Sequence, residues 1–181
     1  MKINETELPE VLTIKPEVFR DHRGAFCETW NDKTMATSGI PSKWVQDNFS
    51  ISKKNVIRGI HYQIDQPQGK LVRVTHGAVI DVVVDLRKTS PTFAKHIAVE
   101  LSDENATMLW IPKGFGHGFL ALTDNVGFAY KVTDYYSPAG ERTLLWNDSD
   151  LAIQWPIATT EIVVSIKDSQ GKPLREAELF D

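Results

Sequence analysis

Leu71-Val72-Arg73-Val74 is followed, after Thr75-His76-Gly77, by Ala78-Val79-Ile80-Asp81-Val82-Val83-Val84-Asp85-Leu86. Both segments read as strands, and the three residues between them as a hairpin-like turn. The second segment is nearly continuous in apolar residues, so it should be buried on both faces, as a strand is inside a sandwich. Further out, Ile97, Val99 and Leu101 alternate with His96, Ala98 and Glu100. Phe128, Tyr130 and Val132 alternate with Ala129 and Lys131, so these three should share one face. Ser137-Pro138-Ala139-Gly140 reads as a turn, and the β-branched run from Glu161 to Ile166 as another strand. Helices are few: Asn31 or Asp32 can cap a short one ending near Ser38-Gly39. Pro173 can open a second through Leu174 to Phe180. Many short strands without a βαβ rhythm indicate an all-β sandwich or barrel. No linker-like stretch divides the chain, which reads as one domain over residues 1–181.

Composition narrows the class of function. The hydrophobic fraction is 41% and the net charge −4. With no block of Lys and Arg, this argues against a nucleic-acid binder. An anionic ligand would need a local cluster of cations instead. No apolar run approaches a bilayer span, and Met1 to Glu10 is too polar and acidic for a secretory signal. No membrane partner is expected. Cys27 is the only cysteine, which rules out an intrachain disulfide and fits a cytoplasmic location.

Unusual polar residues concentrate in four segments: Phe19 to Glu28; Gln46-Asp47-Asn48-Phe49-Ser50 leading into Val56 to Gln63; Gln68 to Val74; and Trp110 to Phe119. Among them are Arg58-Gly59-Ile60-His61-Tyr62-Gln63 and Pro112-Lys113-Gly114-Phe115-Gly116-His117-Gly118-Phe119. Asp81 to Arg87, Ser90-Pro91-Thr92-Phe93, Tyr135-Tyr136-Ser137-Pro138, Trp146-Asn147-Asp148 and Ser165-Ile166-Lys167-Asp168 complete the set. In this order the motifs resemble the dTDP-4-dehydrorhamnose 3,5-epimerase family, from Phe19 to about Leu174. The resemblance implies a jelly roll (double-stranded β-helix, cupin-like) with a few short peripheral helices. It also implies a homodimer and no metal or organic cofactor.

It further implies a chemistry. The ketone at C4 of a 4-keto sugar acidifies the hydrogens on C3 and C5. Inverting either carbon needs a base, a cation for the enolate oxygen, and an acid on the opposite face. By resemblance His61 is the base and Asp168 its partner, Lys70 holds the enolate oxygen, and Tyr130 is the acid. By themselves, Lys70 also reads as a solvated turn lysine and Tyr130 as a core aromatic. Arg23, Arg58 and Lys167 match family positions that bind substrate, and Arg suits a diphosphate because its planar fork pairs with two oxygens. Glu28, Gln46, Asp47, Asn48, His117 and Glu141 match others. Phe19 and Tyr136 could sandwich the thymine or belong to the core. N-terminal strands exchange between subunits in the family, so Arg23 and Glu28 would reach nucleotide in the neighbouring subunit.

Three rival readings remain. Pro112 to His117 has the spacing of a second cupin motif, but Tyr62 and Gln63 follow His61 where a metal-dependent cupin wants His-x-His. A non-catalytic sugar-binding jelly roll would not need His61, Lys70, Tyr130 and Asp168 together. A single-carbon epimerase could keep the same acid and base. Cys27, in a strand-like stretch, is expected to be a buried small hydrophobe.

Overall fold

The computed structural model describes all 181 residues. In chain order the strands are β1 (Lys2–Glu5), β2 (Leu12–Lys15), β3 (Val18–Asp21), β4 (Gly24–Cys27), β5 (Gln46–Ser52), β6 (Ile57–Gln63) and β7 (Lys70–His76). Then follow β8 (Ala78–Asp85), β9 (His96–Ser102), β10 (Met108–Ile111), β11 (Phe115–Ala121), β12 (Val126–Val132) and β13 (Glu141–Thr143). Two short helices, α1 (Asp32–Ala36) and α2 (Ile166–Ser169), lie outside the sheets. One sheet runs β1-β2-β10-β7-β12-β5 and the other β13-β6-β11-β8-β9, with β3-β4 as a separate ribbon. The two sheets make an all-β jelly roll. No helix is long and apolar enough to cross a membrane.

Strand parity explains the layers. Val72, Val74 and Phe128 of the six-stranded sheet meet Val79, Val83, Phe115 and Phe119 of the five-stranded sheet in the interior. The alternate residues Val82 and Val84, with Ile60 and Tyr62, pack outward against Leu144, Leu151, Ile153 and Leu174 of the C-terminal segment. β8 is therefore covered on both sides, as its apolar run requires. Each such aliphatic or aromatic side chain contributes about 1.5–3 kcal/mol on burial. On the outer face of the six-stranded sheet, Leu71, Met108 and Trp110 pack with Met35 of α1, and Trp30 and Trp44 lie against them.

Four expectations are corrected. β7 and β8 are not a hairpin: they belong to different sheets, and the chain crosses between sheets at Gly77, whose φ is +78°. Turn chemistry is the same for either connection, so the residues there did not distinguish them. Glu161 to Ile166 is not a strand. Thr159–Glu161 is a 3-10 turn, Val163 makes a single parallel bridge to Val56, and Ser165 caps α2 by accepting from the Asp168 amide. Leu174 to Phe180 is not a helix: one 3-10 turn spans Leu174–Glu176, and Phe180 then bridges to Arg87. There, contacts with the sheet outweigh local helix preference. Cys27 is half-buried rather than buried. Asn31 does cap α1, accepting from the Thr34 amide, though the helix ends at Ala36.

Candidate active site

Between the open ends of the two sheets lies a cavity of about 560 Å³. Parity aims the chemistry into it. Ile60 and Tyr62 are anchored in the outer layer of the five-stranded sheet, which turns His61 inward. His117 lies directly across the strand pair from His61, on the face of Phe115 and Phe119. From the facing sheet, Lys70 shares its side with Val72 and Val74, and Tyr130 with Phe128. Gly69 lets Lys70 take this place, because a Cβ there would stand 2.5 Å from the Trp110 ring. Lys70 and Tyr130 thus line one wall, His61 and His117 the other.

His61 Nε2 lies 2.5 Å from Asp168 Oδ1. Asp168 is held there by the Val56–Val163 bridge and the Ser165 cap, which bring α2 to the mouth of β6. Burial pushes the Asp168 carboxyl up. The hydrogen bond and charge of His61, the Ser165 contact and the Lys167 charge outweigh it, and the net shift is downward. An ionised carboxylate only accepts, so Nε2 carries the shared proton, and in the neutral ring Nδ1 is left with the lone pair.

Lys70 is buried, and its Nζ donates to the His61 carbonyl at 3.4 Å. Burial lowers its pKa to about 8, against the opposing pull of Asp81 and Glu141. The Tyr130 hydroxyl is pushed up, first by burial, so it keeps its proton at neutral pH. At the rim Glu141 pairs with Lys167 at 2.6 Å and accepts from the Tyr136 hydroxyl at 2.9 Å. Burial raises the Glu141 carboxyl, but these two partners and the His61 charge lower it overall. Arg58 also lines the cavity, held by Ser52 Oγ at 2.9 Å.

Six of the expected residues lie outside the cavity of this chain. Gln46 and Asn48 bond each other at 2.8 Å, and Gln46 also accepts from the Tyr136 amide. Asp47 points to the opposite face of β5, paired with Lys131 at 2.9 Å. Arg23 sits at the tip of the β3–β4 ribbon, bonded to Asp21, and Glu28 just beyond it accepts from Asn31. Phe19, also on the ribbon, is exposed and does not flank the cavity with Tyr136. Two residues were missed. Ser165, whose neighbours have strand composition, is the cap that sets Asp168. Asp81 lies beneath the cavity, bonded to His117 Nε2 at 2.8 Å. Its signal was a lone charge inside an apolar run. Both cavity histidines are thus spent on carboxylates, and no group of three or more potential metal ligands comes together.

A carboxylate-held imidazole and a phenol on opposite walls, with a buried lysine beside them, suit proton removal and return next to a carbonyl. The family model described as dTDP-4-dehydrorhamnose 3,5-epimerase matches residues 5–176. A protein of that name from Pseudomonas aeruginosa is 46% identical over 181 residues, covering 99% of each chain. Its counterpart in Salmonella typhimurium is 47% identical over 183 residues, covering all of both. The crystal structure of dTDP-6-deoxy-D-glucose-3,5-epimerase from Legionella pneumophila, in complex with dTDP-4-keto-L-rhamnose, superposes with a TM-score of 0.94. It is 46% identical and covers 98% of this chain and 94% of that one.

Proposed function

From the premise that the chain belongs to the dTDP-4-dehydrorhamnose 3,5-epimerase family, we propose how its cavity carries the family's reaction. The enzyme is an isomerase of dTDP-L-rhamnose biosynthesis. It inverts C3 and C5 of dTDP-4-dehydro-6-deoxy-D-glucose and yields dTDP-4-dehydro-L-rhamnose.

His61 Nδ1 takes the proton from the carbon beside the ketone, and the C–H electrons move into the enolate. Asp168 fixes the ring tautomer and stabilises the imidazolium that forms. The ammonium of Lys70 faces the charge that grows on the C4 oxygen. Tyr130 gives its hydroxyl proton to the same carbon from the other wall, and the configuration inverts. Proton exchange with solvent resets His61 and Tyr130, so nothing is consumed. Because C3 and C5 flank the same ketone, one base and one acid serve both in turn. The observation that carries this reading is the placement of His61 and Tyr130 on facing sheets.

Arg58 and Lys167 serve the diphosphate, with Glu141 and His117 against the sugar nucleotide. The chain works as one domain and acts as a homodimer in the cytoplasm. Large apolar side chains on the ribbon and on β5, Phe19, Phe26, Phe49 and Ile51, are exposed in the single chain, which supports a covering second copy. In the dimer each ribbon would deliver Phe19, Arg23 and Glu28 to the other subunit's nucleotide, with Phe19 opposite Tyr136. Incubation with dTDP-4-dehydro-6-deoxy-D-glucose in D₂O, followed by NMR, tests the reaction. Deuterium and inversion are expected at both C3 and C5. Inversion at one carbon alone would reduce the enzyme to a single-carbon epimerase.

A further inference from the structure

Asp81 has no part in the scheme above, yet it is fully buried and on the interior face of β8, the face of Val79 and Val83. An ionised carboxylate in an apolar layer is costly unless its charge is answered. Both of its oxygens approach one atom, His117 Nε2, at 2.8 and 3.1 Å. Burial pushes its carboxyl up and the net shift is upward; the charge and hydrogen bond of His117 and the charge of Lys70 oppose it.

Lys70 has the complementary problem. An ammonium offers three donors, and the single bond recorded for it is a long one to the His61 carbonyl. The charged or titratable groups around it come from every neighbouring strand: Asp81 on β8, His117 on β11, His61 and Arg58 on β6, Tyr130 on β12 and Glu141 on β13. α2 adds Asp168 and Lys167. Of the three carboxylates, Asp168 is committed to His61 and Glu141 to Lys167 and Tyr136. Asp81 is bonded only to an imidazole, which is neutral when Nε2 donates and Nδ1 is bare. Its negative charge is therefore the largest that answers Lys70, with a smaller contribution from Glu141.

We propose that Asp81 is a positioning residue for the epimerisation: its carboxylate is the counter-charge that keeps Lys70 an ammonium ion inside the cavity, and it holds His117 with Nε2 as donor and Nδ1 as acceptor. The proposal rests on the assignment of Lys70 to the enolate oxygen. Before the reaction, Lys70 and Asp81 together have no net charge, and Asp81 is held on His117 rather than on the ammonium, so an enolate can form against Lys70 without first displacing an anion from it. Without Asp81 the cheapest state of the buried lysine is the neutral amine, which cannot answer an enolate.

The test compares wild type with Asp81→Asn in the full-length enzyme by two readouts. The first is the Lys70 titration, followed by NMR of protein labelled at lysine Cε. The second is the pH profile of kcat/KM, which reports free-enzyme groups. In wild type both should break near pH 8. In Asp81→Asn both should move to acid by about one pH unit or more, so that its deficit in kcat/KM is about fivefold or more at pH 8, approaches tenfold or more at higher pH and narrows as pH falls. A Lys70 midpoint that stays in place, with turnover lowered evenly at every pH, gives Asp81 a structural role and overturns the proposal. A midpoint that moves while the activity limb does not would instead defeat the assignment of Lys70 to the enolate. Should Asp81→Asn fail to fold, long-range ¹H–¹⁵N spectra of wild type decide. His117 protonated at Nε2 and bare at Nδ1 is expected, and the reverse tautomer overturns the proposal.

Discussion

Replacing Lys70 with methionine should abolish turnover and remove a pH-dependent stability penalty that the wild type carries at neutral pH. Burial brings the Lys70 pKa from 10.5 to about 8 in the folded state. Above about pH 10.5 the amine is neutral in both states and contributes nothing. As pH falls from there towards 8, the unfolded chain binds a proton that the folded protein refuses, and stability drops. Below about 8 both states are protonated and the full penalty remains. At about 1.4 kcal/mol per pH unit, this window corresponds to about 3 kcal/mol. Methionine carries no charge and fills a similar length. The advantage of Lys70→Met over wild type should therefore be about 3 kcal/mol larger at pH 7 than at pH 10.5. For a chain of this size that is about 6–12 °C in Tm. Urea unfolding at fixed protein concentration, repeated across this pH range, measures the difference directly. An offset between the two proteins that is the same at pH 7 and pH 10.5 would refute the reasoning, because the penalty would then not come from the proton. A confirmed gap would mean that stability is given up to hold a cation where the enolate forms.

His61→Ala should lower kcat by about 10²–10⁴ or more and stop exchange at both carbons, as read by deuterium wash-in. Asp168→Asn keeps the size of the side chain but removes the charge beside His61, and a loss of about 10²–10⁴ in kcat is expected, with KM little changed. Tyr130→Phe should separate the two half-reactions, leaving wash-in on substrate with little inverted product; epimerisation at the wild-type rate would assign the acid elsewhere. Dimer formation is checked by sedimentation across a dilution series. If ribbons are exchanged, mixing inactive Arg23→Ala and His61→Ala proteins should restore activity through heterodimers that hold one intact site.

The residues that a reader can place from the chain alone are those whose side chains obey strand parity. Phe128 and Tyr130 do share a face, and the run from Ala78 to Leu86 is enclosed on both sides save for the partly exposed Ala78 and Ile80. Motif order was informative about His61, Lys70 and Asp168 because these are chemically distinctive residues in distinctive surroundings. Two features escaped. Gly77 reads identically whether a chain doubles back within a sheet or crosses to another. Ile162, Val163 and Val164 have strand composition but only one bridging partner at Val163, so their β preference is overridden by the cap that follows. The ribbon residues Phe19, Arg23 and Glu28 do not line the cavity of their own chain, which accords with the subunit exchange that the resemblance implies for Arg23 and Glu28.

The crossing at Gly77 links chain length to charge. β7 and β8 leave it on opposite sheets, and their parity places Lys70 and Asp81 in the same interior. Adding or removing one residue in this short connection would turn β8 over. Ile80 on insertion, or Val82 on deletion, would then stand where His117 needs a carboxylate, and Asp81 would be driven into the apolar layer beneath Leu151 and Leu174. Such a change would leave the composition almost untouched and the hydrophobic pattern nearly as good, since β8 is apolar on both sides. It would still remove the counter-ion of the buried lysine. A loop that packing alone would allow to drift in length is thereby restricted by electrostatics, and a single-codon insertion there would act as a charge mutation at a distance.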